Sequence, residues 1–335
     1  MRVPRTSGYS AGSLPRIALL LALGASVPRG LFAQAAVQVV SGVSCLACQV
    51  QLRPVVTVGD ANGPGMLESE YSLVRRDSRG IYYVWASGAP YFWVFDGQGK
   101  IMRRVGQRGQ GPGEFRSISG ILIGSGDSLY VLDESQRRLS VFSPRYELVR
   151  TVQLGFEAGF RSVFVGEEIL VNSMIRTPEL IGYPLHLMNS LGRLTRSFGS
   201  TTGVYRPDLR DALEVRELTA DAGAVWSAWI NQYVIERWDT VGNLTRVLQR
   251  EVDWFPTWWR PQPGRGAPPL PVTTAIQKQG DTLWVLVRVP GPDWAAAVKP
   301  RGRSFAVLDP NVYQNTMVEA IQLRTLSLRR REEGW

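Results

Sequence analysis

The chain has 335 residues, of which 44% are hydrophobic and 20% are charged, which is ordinary for a globular protein and sufficient for a sizeable core. The formal net charge is +9, and all but three of the 38 basic residues are arginines. No basic stripe interleaved with aromatic residues marks a nucleic-acid surface, so we expect no nucleic-acid partner. We interpret the charge as a solvated basic surface, with a specific anionic partner as the alternative.

Residues 1–35 have the layout of a secretory signal peptide. A basic leading region precedes the apolar run from Ile17 to Leu23, and Ala33-Gln34-Ala35 supplies the small-x-small cleavage pattern. The run is too short to span a bilayer stably, and no later segment is apolar enough to do so. We predict an exported protein, periplasmic or extracellular, that begins near Ala36; an uncleaved membrane anchor is the alternative.

Both cysteines lie in the short segment Cys45-Leu46-Ala47-Cys48. In an exported chain with no other cysteine, a disulfide between Cys45 and Cys48 is the expected state. A redox motif is a weaker interpretation, because such cysteines start a helix in a βαβ unit and a strand is expected here after Val50. A zinc site would need two further ligands.

A glycine-rich segment occurs twice. Val105 to Phe115 reads Val-Gly-Gln-Arg-Gly-Gln-Gly-Pro-Gly-Glu-Phe, and Val58 to Leu67 has the same outline, with the two Gly-Pro-Gly prolines 48 residues apart. Glycine reaches backbone angles that are closed to other residues, and proline fixes its own angle and donates no hydrogen bond. The spacing predicts a repeat architecture in which this segment, the link, joins successive units.

Units of four short strands recur around the link. They begin near Leu73, Ile118, Ser162, Glu217 and Thr273, and equivalent residues at Phe95, Phe142, Met188 and Trp238 are 47, 46 and 50 positions apart. The runs are β-branched and aromatic, and Gly, Asp, Asn and Ser turns bound them, so they predict antiparallel meanders. Units of this size and content are typical of β-propeller blades.

The chain resembles the exported bacterial six-bladed β-propellers related to the NHL-repeat and TolB-type propellers. The residues that carry the resemblance are Gly109 to Phe115, the Asp-x-x-Gly turns that start at Asp77, Asp96 and Asp239, and Gly126 to Val131. It covers roughly residues 50–328 and implies an all-β fold of four-stranded antiparallel blades. It implies little about activity.

The resemblance also implies six blades, whereas five units are found. We therefore expect one propeller domain over residues 36–328, with an incomplete last blade or one completed by the N-terminal strand Val50 to Val58. In the fifth unit we assign the third strand to Ser304–Leu308 and the fourth to Met317–Leu328. Residues 329–335 do not read as a closing strand and are assigned to a C-terminal tail.

The segment between the fourth and fifth units is rich in tryptophan, proline and arginine. Prolines and glycines forbid a regular strand there, so we predict a long loop, and such loops are often functional. The candidate ligand-binding residues are Trp254, Trp258, Trp259 and Arg260, joined by Trp294 from a second insertion. The alternative is that these tryptophans only pack over the edge of a blade.

The only histidine is His186, which strand alternation places as a structural residue. A single histidine excludes multi-histidine metal sites and argues against a Ser-His-Asp triad, so we assign no catalytic and no metal-ligating residue. Neither a P-loop nor a Rossmann fingerprint is found. Asp77, Asp127, Asp221 and Asp281 recur at the turn before a second strand, where a carboxylate usually accepts turn hydrogen bonds.

Two functions therefore remain open. The first is a monomeric binding or scaffolding propeller for an unidentified protein, peptide or glycan, without a cofactor. The second is a lactonase-like hydrolase or lyase, in which carboxylates at the channel mouth would hold a divalent cation such as Ca²⁺.

Overall fold

Short strands bounded by turns build most of the residues that the computed structural model describes. It describes residues 37–40, 53–60, 63, 65–67, 72–158, 161–199, 215–221, 223–259, 266–301, 304–325 and 327–333. These residues contain five antiparallel sheets with a four-stranded meander each, which we call blades 1 to 5. The predicted all-β propeller of four-stranded blades is confirmed. Within the described ranges, no helix is long and apolar enough to cross a membrane.

The strands are numbered along the chain. Strand β1 is Val37–Val39. Blade 1 consists of β2 (Ser72–Arg76), β3 (Tyr82–Ala86), β4 (Phe92–Phe95) and β5 (Ile101–Val105). Blade 2 consists of β6 (Ile118–Ile123), β7 (Leu129–Asp133), β8 (Arg138–Phe142) and β9 (Leu148–Gln153). Blade 3 consists of β10 (Ser162–Val165), β11 (Glu168–Asn172), β12 (Leu185–Met188) and β13 (Leu194–Phe198).

Blade 4 consists of β14 (Arg216–Asp221), β15 (Ala224–Trp229), β16 (Val234–Asp239) and β17 (Leu244–Gln249). Blade 5 begins with β18 (Val272–Gln279) and β19 (Thr282–Pro290). A hairpin of β20 (Val298–Arg301) and β21 (Ser304–Val307) and the helical turn α1 (Pro310–Tyr313) follow. Strands β22 (Gln314–Gln322) and β23 (Ser327–Glu333) complete the blade.

Apolar side chains on both faces of the middle strands form the core. Every residue of β8, β12 and β15 is buried, whereas the outer strand β9 alternates between half-buried and exposed positions. Four hydrophobic clusters result, and each is shared by two successive blades. Blade-to-blade packing therefore fixes the order of the sheets around the axis.

The turn between the third and fourth strands is built alike in blades 1 to 4. A side-chain oxygen of its first residue accepts hydrogen bonds from two backbone amides further along the turn. The residues that accept are Asp96, Ser143, Asn189 and Asp239. Asp, Asn and Ser favour turns for this reason, and here they mark the end of each third strand.

The link between blades 1 and 2 is a compact hydrogen-bonded loop. The amide of Phe115 donates to the Gln107 carbonyl at 2.8 Å, and that of Gly111 donates to Glu114 Oε2, also at 2.8 Å. Phe115 is fully buried in the cluster that blades 1 and 2 share. The buried Arg138 donates to carbonyl oxygens of the link. The motif thus anchors one blade to the next, as the repeat predicts.

The N-terminal strand does not close the ring as predicted. Residues 53–58, the described part of the expected strand Val50 to Val58, form no strand. Instead β1 pairs in parallel with β17, the outer strand of blade 4. Val40, only 1% exposed, packs in the cluster shared by blades 4 and 5, so burial of an apolar side chain decides where this segment lies.

Two further predictions, the third and fourth strands of blade 5, were wrong. Ser304–Leu308 is not its third strand, because β19 and β22 pair over nine residues and leave the chain between them as an excursion. Its fourth strand is β23, which pairs with β22 through Glu333. Arg329 to Glu333, assigned to a tail from their charge, therefore extend the sheet, and blade 5 is complete without the N-terminus. An outer strand needs only one apolar face, so charge does not exclude it.

We predict that Gly106→Ala destabilises the fold by roughly 2–4 kcal/mol. Gly106 has φ +89°, and a Cβ atom there would lie 2.6 Å from the Phe115 ring. Urea unfolding measures the change. The matched control is Gly155→Ala, because a Cβ atom at Gly155 meets nothing within 4 Å. Equal stability of the two variants would contradict the structural role of the link.

Candidate functional site

The first strands of all five blades surround a central cavity of about 1080 Å³. Strands β2, β6, β10, β14 and β18 contribute to its wall. Tyr82, Leu286 and Thr316 also line it, and these later-strand residues belong to blades 1 and 5. The cavity therefore extends from the axis towards the side where the first and last blades lie.

The charged residues of the cavity wall are mainly arginines. The lining includes Arg75, Arg76, Arg161 and Arg288, with Glu217 as the acidic residue among them. Arg161 Nε donates to Glu217 Oε1 at 2.5 Å, which ties blade 4 to the residue just before β10. An arginine fork suits carboxylate and phosphate groups, so the wall is chemically suited to anions.

Burial changes the acid–base properties of two of these groups. The pKa of Arg75 is lowered by burial, which the negative charge of Glu217 partly opposes. The pKa of Glu217 is raised by burial, even though Arg161 and Arg75 act in the opposite direction. Both shifts have the same physical cause, which is that the wall removes these charges from water.

Uncharged polar side chains fill much of the remaining wall. Hydroxyl groups and one amide come from residues of four blades: Ser72, Ser87, Ser162, Thr219, Thr274 and Gln277. Such groups can donate to or accept from a ligand without adding charge. Together with the arginines, they make a polar recognition surface.

The recurring aspartates have structural partners away from this wall. Asp77 accepts from the Tyr83 hydroxyl and from Arg79, and Asp127 accepts from the backbone and side chain of Ser78 in blade 1. Asp221 pairs with Lys278 at 3.4 Å, and Asp281 pairs with Arg324 at 2.5 Å. Among the described residues, no three His, Cys, Asp or Glu side chains lie close enough together to hold a metal ion.

His186 is a buried structural residue of β12. Its Nε2 lies 3.1 Å from the Ser173 carbonyl oxygen and its Nδ1 lies 2.7 Å from Ser197 Oγ. The carbonyl can only accept, so the proton sits on Nε2 and Nδ1 accepts from the serine hydroxyl. Burial lowers the pKa of His186 to about 4.

This pKa predicts an acid limb in the stability of the protein. The unfolded chain binds a proton at His186 near pH 6.5, whereas the folded chain does so only near pH 4. The contribution of His186 to stability should therefore fall by roughly 3 kcal/mol as the pH drops through this window. Unfolding curves between pH 4 and pH 7 measure it. His186→Gln should flatten the curve, and an unchanged slope would contradict the assignment.

The predicted loop that begins at Trp254, which we call the tryptophan loop, does not expose all three of its tryptophans. Trp258 is 8% exposed, and its indole N–H donates to the Pro271 carbonyl at 2.7 Å. Trp254 packs against the cluster between blades 4 and 5, while Trp259 is 50% exposed. Trp258 is therefore a packing residue, because its ring is buried and its indole N–H is hydrogen-bonded within the protein. Arg260 lies outside the described residues, as do Cys45, Cys48 and the predicted signal peptide.

Trp294 lines a separate small pocket. The pocket measures about 180 Å³ and its wall includes Trp294, Phe305 and Tyr313 from the insertion in blade 5. Gly266 and Ala267, from the end of the tryptophan loop, complete it. The two insertions thus meet, as the sequence suggested. A ligand-binding role for Trp254, Trp259, Arg260 and Trp294 stays a prediction.

We predict that the two adjacent tryptophans differ in their effect on stability. Trp258→Ala should cost roughly 3–5 kcal/mol, because it removes a buried ring and a hydrogen bond. Trp259→Ala should cost less than about 1 kcal/mol, because the side chain is half exposed. Urea unfolding compares the two. Similar losses for both variants would contradict this placement.

Residues 70–168 match the model of a family described as a 6-bladed beta-propeller. The chain is a β-propeller. The match covers blades 1 and 2 and the start of blade 3, and it confirms the resemblance carried by the link. The family description has six blades, whereas the described residues contain five.

Solved structures agree on the fold. A protein of Bacteroides fragilis described as exported has a TM-score of 0.54 at 10% identity, over 82% of this chain and 74% of that protein. A member of the DUF4221 family from Bacteroides vulgatus has a TM-score of 0.52 at 10% identity, over 79% and 82%. At such identity the likeness shows the fold alone. No curated protein matches the sequence.

The cavity residues Arg75, Arg161, Glu217 and Arg288 were not predicted as site residues from the sequence. Three of them lie within or just before the first strand of a blade, which is the strand that faces the axis. Charged residues in the first strand of a blade were therefore the sequence feature that could have identified this part of the cavity wall.

Proposed function

We propose that this protein is an exported binding propeller that holds its ligand in the central cavity. The observation that carries the proposal is the cavity of about 1080 Å³, lined by both polar and apolar side chains, to which all five blades contribute. Small-molecule sites commonly measure about 300–1,000 Å³, so this cavity has room for a compact ligand or for the end of a glycan or peptide. It is too small to admit a folded protein domain.

Export is supported by sequence features and by one neighbour. Residues 1–35 carry the basic, apolar and small-residue regions of a signal peptide in the proper order. The Bacteroides fragilis protein with a similar fold is described as exported. We therefore place the binding function in the periplasm or outside the cell.

The nature of the wall favours binding over metal-dependent hydrolysis. A channel built for a divalent cation presents several converging carboxylate and carbonyl oxygens. Here the wall presents four arginines, and its glutamate is engaged by Arg161. Guanidinium groups repel a cation, so the arrangement supports recognition of a ligand by charge and hydrogen bonds, and this function requires no cofactor.

Filling the cavity tests the proposal. We predict that Ala275→Trp weakens binding at least tenfold, because Ala275 lines the cavity and a tryptophan there would occupy ligand volume. Compounds that raise the melting temperature of the wild-type protein would be identified among neutral sugars, sugar acids, amino acids and short peptides. Their affinity for each variant would then be measured by calorimetry.

The control is Thr151→Trp, which adds the same ring at an exposed position on β9, outside the cavity wall. It should bind like the wild type. Ligands that bind both variants equally well would place the site elsewhere and overturn the proposal.

A further inference from the structure

The described residues of the cavity wall bring more positive than negative charge together at one place. Arg75 on β2 and Arg161 before β10 both interact with Glu217 on β14. The Arg161–Glu217 contact of 2.5 Å is a direct ion pair, while the Arg75 guanidinium donates a hydrogen bond to the Val74 carbonyl at 3.1 Å. Glu217 thus contacts one guanidinium group directly and attracts the second, that of Arg75, without a direct contact.

This surplus lies where water screens charge poorly. The side chain of Glu217 is 13% exposed and that of Arg161 is 30% exposed. An ion in such an environment interacts more strongly with a counter-ion than it would at an open surface. Arg288, from β19 of blade 5, adds another guanidinium to the wall of the same cavity.

We infer that the cavity binds the anionic group of a small ligand, a carboxylate, sulfate or phosphate, with Arg75 and Arg161 as the binding residues. The inference deepens the proposed function and rests on it, because it names the ligand class of the same cavity. An anion supplies the charge that Glu217 alone does not, and the arginine fork can bind two of its oxygens. Nearby Ser162 and Thr219 line the wall around this position.

Glu217 acts as an internal competitor in this arrangement. Its carboxylate accepts from Arg161 Nε and lowers the positive potential that a ligand meets. Removal of its charge should therefore strengthen anion binding, whereas removal of the Arg75 charge should weaken it. If Glu217 and Arg75 had only a structural role, removing their charges would not be expected to change anion affinity in opposite directions.

The experiment uses the full mature chain and defined probes. Glucuronate, glucose 6-sulfate and glucose 6-phosphate are titrated by calorimetry at constant ionic strength, with glucose as the neutral counterpart. We expect at least one of the three anions to bind at least tenfold more tightly than glucose. The three arms also identify which anionic group is preferred.

The variants are Arg75→Gln, Arg75→Lys, Glu217→Gln and the control Arg145→Gln, which changes an exposed arginine that does not line the cavity. We expect anion affinity to fall about tenfold in Arg75→Gln, to be partly retained in Arg75→Lys, to rise in Glu217→Gln and to stay unchanged in Arg145→Gln. Melting temperatures verify that each variant is folded.

The outcomes separate this inference from the proposed function. If no anion binds more tightly than glucose, or if Arg75→Gln and Arg145→Gln behave alike, the anionic ligand class is wrong. Weaker anion binding in Glu217→Gln would also overturn it, because the glutamate would then be a ligand contact. If glucose or another neutral compound still binds and Ala275→Trp prevents it, the cavity remains the site and only the ligand class fails.

Discussion

The structure depends on the packing of one apolar sheet face against the next. A blade such as blade 2, with all of β8 buried, cannot cover both of its faces alone. Both faces of blades 2, 3 and 4 are covered by neighbouring blades, and the four shared clusters are the result. Repeat proteins are stabilised by such nearest-neighbour interfaces. The order of the blades, the position of the axis and the existence of a central cavity all follow from this packing.

The same constraint decides where recognition can occur. The second and third strands are committed to apolar packing, so they offer few positions for polar groups that contact a ligand. The first strands face the axis, and there Arg75 and Glu217 can be tolerated because they face a cavity and have polar partners. Since Glu217 and Arg161 come from different blades, the site exists only when the blades are assembled.

The tryptophan loop illustrates how an insertion between two blades becomes part of the core. Asn231 and Trp258 exchange hydrogen bonds, with the Asn231 side chain donating to the Trp258 carbonyl at 2.9 Å. Phe255 is 4% exposed beside Tyr233, with the two ring centroids 5.4 Å apart. The loop thus covers the outer part of the interface between blades 4 and 5, and only Trp259 among its described tryptophans is largely exposed. Its prolines limit the conformations that the loop can adopt.

The sequence by itself determined the features that depend on local chemistry. Strand alternation, the turn residues Asp96 and Asp239, and the Gly-Pro-Gly link specify blades because each acts within a few residues of its own position. The tertiary structure decided the pairing of β1 with β17, the place of β23 and the burial of Trp258. It also decided the meeting of Arg75, Arg161 and Glu217, which are far apart in the chain. These features depend on which apolar surfaces cover one another and on which charges then share a region of low dielectric, and neither is encoded in local spacing.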